Sequence, residues 1–358
     1  MSAALDGIRV LDVTQVMAGP FCAMLLCDMG ADVIKGEAPQ GDSARRMAGG
    51  TGDDSAAFNA VNRGKRGIVV DLKTEQGVKV LRRLSKTVDI LIENYRPGVM
   101  KRLGLDYETL RENNPGLIYA SISGYGQTGP SASRGGFDLV AQGVSGLMSV
   151  TGEPGRAPVK AGIPVTDLGA GLFAVCGILA ALQHRARTGE GQHIDISMLD
   201  IQMALINYHA TMQIMSGIPA PRTGNEMQLH VPYNSYQATD GWIFVAVTID
   251  THWDGLIKKL KSMELPSAAK LCVHELEDGS LSEREARIAS RDLINRNMSK
   301  IIAFCSKGHC IYYCPPFCPF SCIIIFIRYS CQYNRNISLT AHLNNIVDSD
   351  CIVRLKIW

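Results

Sequence analysis

Between residues 8 and 126, short apolar runs rich in β-branched residues alternate with stretches of helical spacing, and this rhythm admits few folds. The runs are IRVLDVT (8–14), DVIKGE (32–37), RGIVVDLK (66–73), VDILIENY (88–95) and LIYASISGYG (117–126). Between them, GPFCAMLLCDMGA (19–31) places Phe21, Met24, Leu25 and Met29 at helical intervals. TEQGVKVLRRLSKT (74–87) puts Val78, Leu81 and Leu84 on one stripe, and YETLRENNP (107–115) reads as a short helix. Parallel strands need long crossovers, and helices supply them. The pattern predicts a doubly wound α/β domain built on a parallel sheet.

Further along, FDLVAQGVSGLMSVTG (137–152) reads as one helix, and GAGLFAVCGILAALQHRARTG (169–189) as a long apolar helix stopped by Gly189. GQHIDISMLD (191–200) is a strand entering a helix. The boundaries read as a large domain over 1–215, a Pro/Gly-rich linker over 216–228 and a partial smaller domain over 229–302. In the last, DGWIFVAVTID (240–250) is a strand and SEREARIASRDLINRNMSKII (282–302) is helical.

Hydrophobic residues make up 46 % of the 358, enough for a sizeable core, and the net charge of +2 creates no field for nucleic acid or an acidic membrane. No apolar run is expected to span a bilayer, and the N-terminus shows no targeting segment. Of eleven cysteines, only Cys22, Cys27, Cys176 and Cys272 precede residue 300, as in an intracellular enzyme with a few buried thiols. The other seven lie between Cys305 and Cys351, at spacings that lack the paired C-x-x-C of a zinc site. Residues 303–358 therefore read as a tail of different character, a replaced C-terminus.

One acid stands out. In AGIPVTDLGAG (161–171), Asp167 is flanked by apolar and small residues. It reads either as the N-cap of the following helix or as a reactive carboxylate. The helix dipole would keep it ionised, and the small residues at 169–171 would leave space beside it. The basic loop NRGKRG (62–67) is either a solvated turn or a phosphate clamp through Arg63, Lys65 and Arg66. SGYGQTGPSASRGG (123–136) lacks the spacing of a dinucleotide or P-loop fingerprint, and no Gly-x-Ser-x-Gly elbow is present. His209 and His230 have no partner at metal-ligand spacing and read as structural or rim residues.

Taken together, LDGIRVLDVTQVMAGPFCAMLLCDMGADVIKGEAP, NRGKRGIVVDLKT, ENYRPGVMKRLGLDYETL, GYGQTGP, GGFDLVAQGVSGLMSVTG, DLGAGLFAVCGILAAL and RTGEGQHIDISMLD resemble the family III CoA-transferases, in order, from Leu5 to about Ile302. The nearest in appearance are succinate/glutarate CoA-transferases. The resemblance implies a Rossmann-like large domain, a smaller α+β domain and an interlaced homodimer. It implies no prosthetic group, with coenzyme A and its acyl thioesters as substrates beside a carboxylic acid, and no nucleic-acid or membrane partner. It places the nucleophile on Asp167, which forms an aspartyl anhydride and then an enzyme-CoA thioester. Coenzyme A contacts fall on Ala18, Leu72, Lys73, Asn94, Tyr95, Arg96 and Arg102. Gly36 and Ala38 depart from the family where an adenine-side basic residue is often found. A dicarboxylate acceptor calls for an arginine, with Arg45, Arg46 and Arg134 as candidates, and Asp138 could orient acceptor or CoA. The mitochondrion is implied by resemblance alone, the cytoplasm otherwise.

The related α-methylacyl-CoA racemase is the alternative, but its proton-exchanging histidine is Phe137 here. A non-enzymatic alternative also follows. The return segment that completes the family's large domain is not recognisable after about residue 303. The chain could then persist as an inactive CoA-binding or dimerising form with exposed apolar area.

Overall fold

A computed structural model describes residues 3–47, 49, 55–238, 241–262, 267–276 and 284–305. The cysteine-rich stretch from residue 306 onward lies outside the described residues, and with it the reading of a replaced C-terminus.

The apolar runs form strands β1 (Arg9–Asp12), β2 (Asp32–Glu37), β3 (Arg66–Val69), β4 (Ile90–Glu93), β5 (Ile118–Ser123) and β6 (His193–Ser197). They join in one parallel sheet of order β3-β2-β1-β4-β5-β6. The strand order reverses between β1 and β4, so the loops after these strands flank the switch point at the carboxyl edge of the sheet. Helices α1 (Ala18–Asp28), α2 (Ala56–Asn62), α3 (Glu75–Ser85), α4 (Val99–Arg102), α5 (Tyr107–Arg111), α6 (Asp138–Val144), α7 (Leu147–Val150) and α8 (Val165–Thr188) follow. After β6 come α9 (Met198–Ile206) and α10 (Tyr208–Ser216).

Each face of the sheet carries its own core. On one, Ile90, Ile92, Ile118, Ala120 and Ile122 meet Ala23 and Leu26 of α1 and Ala174, Val175 and Ile178 of α8. On the other, Leu11, Leu91 and Tyr119 meet Leu81 of α3, Met100 of α4 and Leu110 of α5. The expected helix over 137–152 is two short ones, because Gly146 adopts φ +90° and turns the chain between α6 and α7. Helix α8 starts at Val165, four residues before its apolar run, and ends where Gly189 takes the left-handed conformation.

Helix α8 also corrects the expectation about apolar length. Over 24 residues it is long and apolar enough, by length and composition, to cross a membrane. The acid at its start conceals this in a simple run count. Its Ala170, Ala174, Val175, Ile178 and Ala181 are buried in the core of the sheet domain.

The chain divides into two compact units, the second beginning at Thr223 and also taking in Glu153–Gly155. In the second unit, β7 (Tyr233–Ala238) and β8 (Gly241–Ala246) pair antiparallel. Helices α11 (Asp250–Lys261), α12 (Ser267–Leu276), α13 (Arg284–Ala289) and α14 (Arg291–Cys305) complete its described part. Trp253, Leu256, Tyr236, Ile294 and Met298 share its core. The helix expected over 282–302 is divided between α13 and α14 at Ser290.

Candidate active site

In a parallel sheet, crossover helices run against the strands, so α1 and α8 both begin at the carboxyl edge. They lie on the same face and approach closely. A Cβ on Gly171 would stand 2.8 Å from the Ala18 carbonyl oxygen and 3.3 Å from the Cys22 nitrogen. Asp167 lies one turn before Gly171, so its carboxylate shares an edge with the first turn of α1. No side chain caps that turn of α1.

Asp167 is not the cap of its helix. The N-cap is Pro164, which offers no side-chain acceptor, and Asp167 occupies the first turn. The cap comes from another helix. Asp138, the first residue of α6, accepts the Thr166 amide at 2.9 Å and the Asp167 amide at 3.4 Å through Oδ1. Its Oδ2 accepts from Gln142 Nε2 at 2.6 Å, and Gln142 Oε1 accepts the Ala161 amide at 2.8 Å. Thr166 Oγ1 donates to Gln202 Oε1 at 2.7 Å. Asp138 thus caps α8 rather than its own helix, and Asp167 keeps its carboxylate free of that task.

The position is also electrostatically tense. Burial, and secondarily the charge of Asp138, push the Asp167 carboxyl up to about 6. The carboxyl is thus ionised at neutral pH, as expected from the sequence, but protonates at a higher pH than an ordinary aspartate. The small residues beside it have a different use from the expected open volume. Gly169 admits Leu205 and Ile201, and Gly171 admits the α1 backbone, so helices fill the space.

The loops carrying the other predicted residues converge on the same edge. Asn94 follows β4 and closes the switch point: its Oδ1 accepts the Gln15 amide at 2.9 Å and its Nδ2 donates to the Gln15 carbonyl at 2.8 Å. Its amide therefore holds the β1–α1 loop. The Tyr95 amide is fixed by Glu93 Oε2 at 2.8 Å. Glu93 is buried, which pushes its carboxyl up to about 7. Arg96 is exposed and lies over the β5 loop, where a Cβ on Gly135 would come within 3.4 Å of its guanidinium. That loop crosses itself where Gly124 and Gly136 touch backbone to backbone, which aims the chain into Asp138. Ala18 is buried at the start of α1, Leu72 is half-buried after β3, and Lys73 and Arg102 are exposed.

Two expectations change. Of the two readings of the basic loop, ion pairs on all three cations weigh against a phosphate clamp. Lys65 is buried, with Nζ donating to Asp12 Oδ2 at 2.8 Å, Pro20 O at 2.8 Å and Asn62 Oδ1 at 2.9 Å. Arg63 pairs with Asp28, and Arg66 with Asp32. Among the candidate carboxylate anchors, Arg45 is committed: it forks onto Glu37 at 2.6 and 2.8 Å and stacks over Phe58. Arg46 donates to the Gln40 carbonyl at 2.8 Å, and Arg134 is exposed. Sequence reasoning missed Asp12, Lys35, Asp42 and Glu93. The signal was available in part: Asp12 and Glu93 end apolar strands, whereas Lys35 lies inside β2 and Asp42 in the turn beyond it.

These motifs recur in known proteins. The sequence profile of CoA-transferase family III matches residues 5–310. The chain belongs to this family. A succinate–glutarate CoA-transferase from Agrobacterium fabrum is 46 % identical over 254 residues, which cover 69 % of this chain and 64 % of that protein. The match thus spans less than two thirds of that relative. A succinyl-CoA:mesaconate CoA-transferase from Haloarcula hispanica is 40 % identical over 305 residues, covering 83 % of this family member and 74 % of the relative. The crystal structure of a CaiB/BaiF family protein from Brucella suis superposes with a TM-score of 0.73 at 37 % identity, covering 84 % of this chain and 79 % of that one. The parallel six-stranded sheet is thus a family III fold.

Proposed function

We propose that this protein transfers coenzyme A from an acyl-CoA to a carboxylic acid, with Asp167 as nucleophile. The carrying observation is a carboxylate in the first turn of α8, relieved of capping by Asp138 and set beside the uncapped start of α1. An Asp167 oxygen attacks the thioester carbonyl, the carbon–sulfur bond breaks, and CoA leaves as thiolate with an acyl-aspartyl anhydride formed. The thiolate attacks the aspartyl carbonyl and releases the donor acid, leaving an enzyme-CoA thioester. The acceptor carboxylate then reverses the sequence: it forms a second anhydride, and CoA thiolate attacks its acyl carbon to regenerate Asp167. No proton is needed in any step.

Ala18, Leu72, Lys73, Asn94, Tyr95, Arg96 and Arg102 form the CoA side in this reading, with Asn94 acting through the loop it holds. Lys73, Arg96 and Arg102 are exposed cations that suit phosphate groups. Succinyl-CoA as donor and a dicarboxylate such as glutarate as acceptor follow the activities named for the Agrobacterium and Haloarcula relatives. Arg46 and Arg134 are the acceptor-side candidates, and Asp138 positions Asp167. Two-base racemisation is not favoured, because Phe137 stands next to Asp138 with no exchangeable proton on its side chain.

The test is direct. The protein is incubated with succinyl-CoA and glutarate beside Asp167→Ala, and glutaryl-CoA is followed by mass spectrometry. Product from the parent and none from the variant is expected. Equal product from both contradicts the assignment.

A further inference from the structure

The β1–α1 loop is held almost entirely by side chains from elsewhere. The Thr14 amide and hydroxyl both donate to Asp12 Oδ1. The Thr14 carbonyl accepts from Lys35 Nζ at 2.9 Å. Asn94 takes both polar groups of the Gln15 backbone. The Val16 amide donates to Asp42, at 3.1 Å to Oδ1 and 3.2 Å to Oδ2. Val16 sits at φ +69°, a conformation that a β-branched residue adopts only when its surroundings impose it.

Asp42 is the junction of these constraints. It is 2 % exposed and pairs with Lys35, also 2 % exposed, at 3.2 Å. Oδ1 accepts the Ala44 amide at 2.9 Å, and the Asp42 amide donates to Glu37 Oε2 at 2.9 Å. One carboxylate thus ties the loop before α1 to β2 and to the turn after it. Lys65 reaches the same region from below, joining Asp12 to the first turn of α1 at Pro20. Two buried carboxylates and two buried ammonium groups meet there, so the charge is balanced. Asp42 is the member that touches the strained residue.

We propose that Asp42 is a positioning residue for the transfer reaction: by gripping the Val16 amide and Lys35 it locks the β1–α1 loop in the left-handed form that presents the first turn of α1 to coenzyme A. The proposal rests on the CoA-transferase reading above. Without Asp42, Val16 relaxes to negative φ, the loop shifts, and the CoA surface loses its preorganisation.

The experiment combines amide hydrogen exchange across residues 15–19 of the free protein with CoA binding by calorimetry. Asp42→Asn is expected to accelerate that exchange and to weaken CoA binding by about tenfold. Adding Val16→Gly to Asp42→Asn is expected to bring CoA affinity back to within about threefold of the parent, because glycine adopts positive φ unaided. A purely structural role for Asp42 offers no reason for that rescue. Should Asp42→Asn fail to fold, Lys35→Met/Asp42→Leu removes both loop contacts without stranding a buried charge, and the same pattern is expected. Unchanged exchange at 15–19, unchanged CoA affinity or absence of rescue by Val16→Gly each overturns the proposal. A parent chain that binds no CoA contradicts the functional reading instead, and the exchange data still decide whether Asp42 holds the loop.

Discussion

At the scale of single residues, Asp167 is held where its charge is costly. Its carboxyl, raised to about 6 by burial and by Asp138, stays ionised at neutral pH at the expense of stability. The raised value means that the native state takes up a proton before the unfolded state does. Stability from this group therefore increases as pH falls from about 7 toward 4. Asp167→Asn is expected to abolish transfer and to stabilise the fold by about 1–2 kcal/mol at pH 7, measured by urea denaturation. The rate should fall about tenfold per pH unit below 6, since only the carboxylate attacks. Asp138→Asn removes the like charge and should move this acidic limb to lower pH, which a kcat–pH profile reads. A limb that stays in place would mean that Asp138 does not act on Asp167 electrostatically. The sequence made Asp167 visible because a lone acid in an apolar segment is conspicuous. It could not show that the cap comes from Asp138, since the two are joined across 28 residues between Asp138 and Thr166.

At the scale of elements, the alternation of β-branched runs and amphipathic stretches was enough to read the sheet. Strand β2 falls on its expected span, Asp32–Glu37, although only Val33 and Ile34 within it are apolar. Strand β3 is shorter than expected, pairing only over Arg66–Val69, and the single helix at 137–152 gives way at Gly146. Local pattern cannot say which glycine will take positive φ. The basic loop shows a deeper gap. Arg63, Lys65 and Arg66 look alike in sequence, yet Lys65 is buried on Asp12, 53 residues away, while the other two pair near the surface. Burial of a charge is a long-range property. Lys65→Met leaves Asp12 uncompensated inside the protein, and a loss of about 3–5 kcal/mol is expected by chemical denaturation. Arg63→Ala should cost at most about 1 kcal/mol. A phosphate clamp would instead give loss of CoA affinity with stability intact.

At the scale of the molecule, the described residues of the sheet domain leave an apolar surface on its helices. Leu172 and Phe173 of α8, Met203 and Leu205 of α9, and Ile214 and Met215 of α10 are exposed, the last two at 83 %. Apolar area of this kind suits an interface, such as that of the homodimer implied by the family resemblance. Sedimentation velocity of the parent should show a dimer, and Ile214→Lys/Met215→Lys should shift it toward monomer. A parent that sediments as a monomer contradicts the homodimer. The proposed chemistry turns on one carboxylate. The most direct measurement is to incubate the protein with succinyl-CoA, trap the activated enzyme with hydroxylamine, and map the modified peptide by mass spectrometry. A hydroxamate on Asp167, dependent on acyl-CoA, is expected. Turnover with no label on Asp167, or with the label on another carboxylate, would contradict that chemistry.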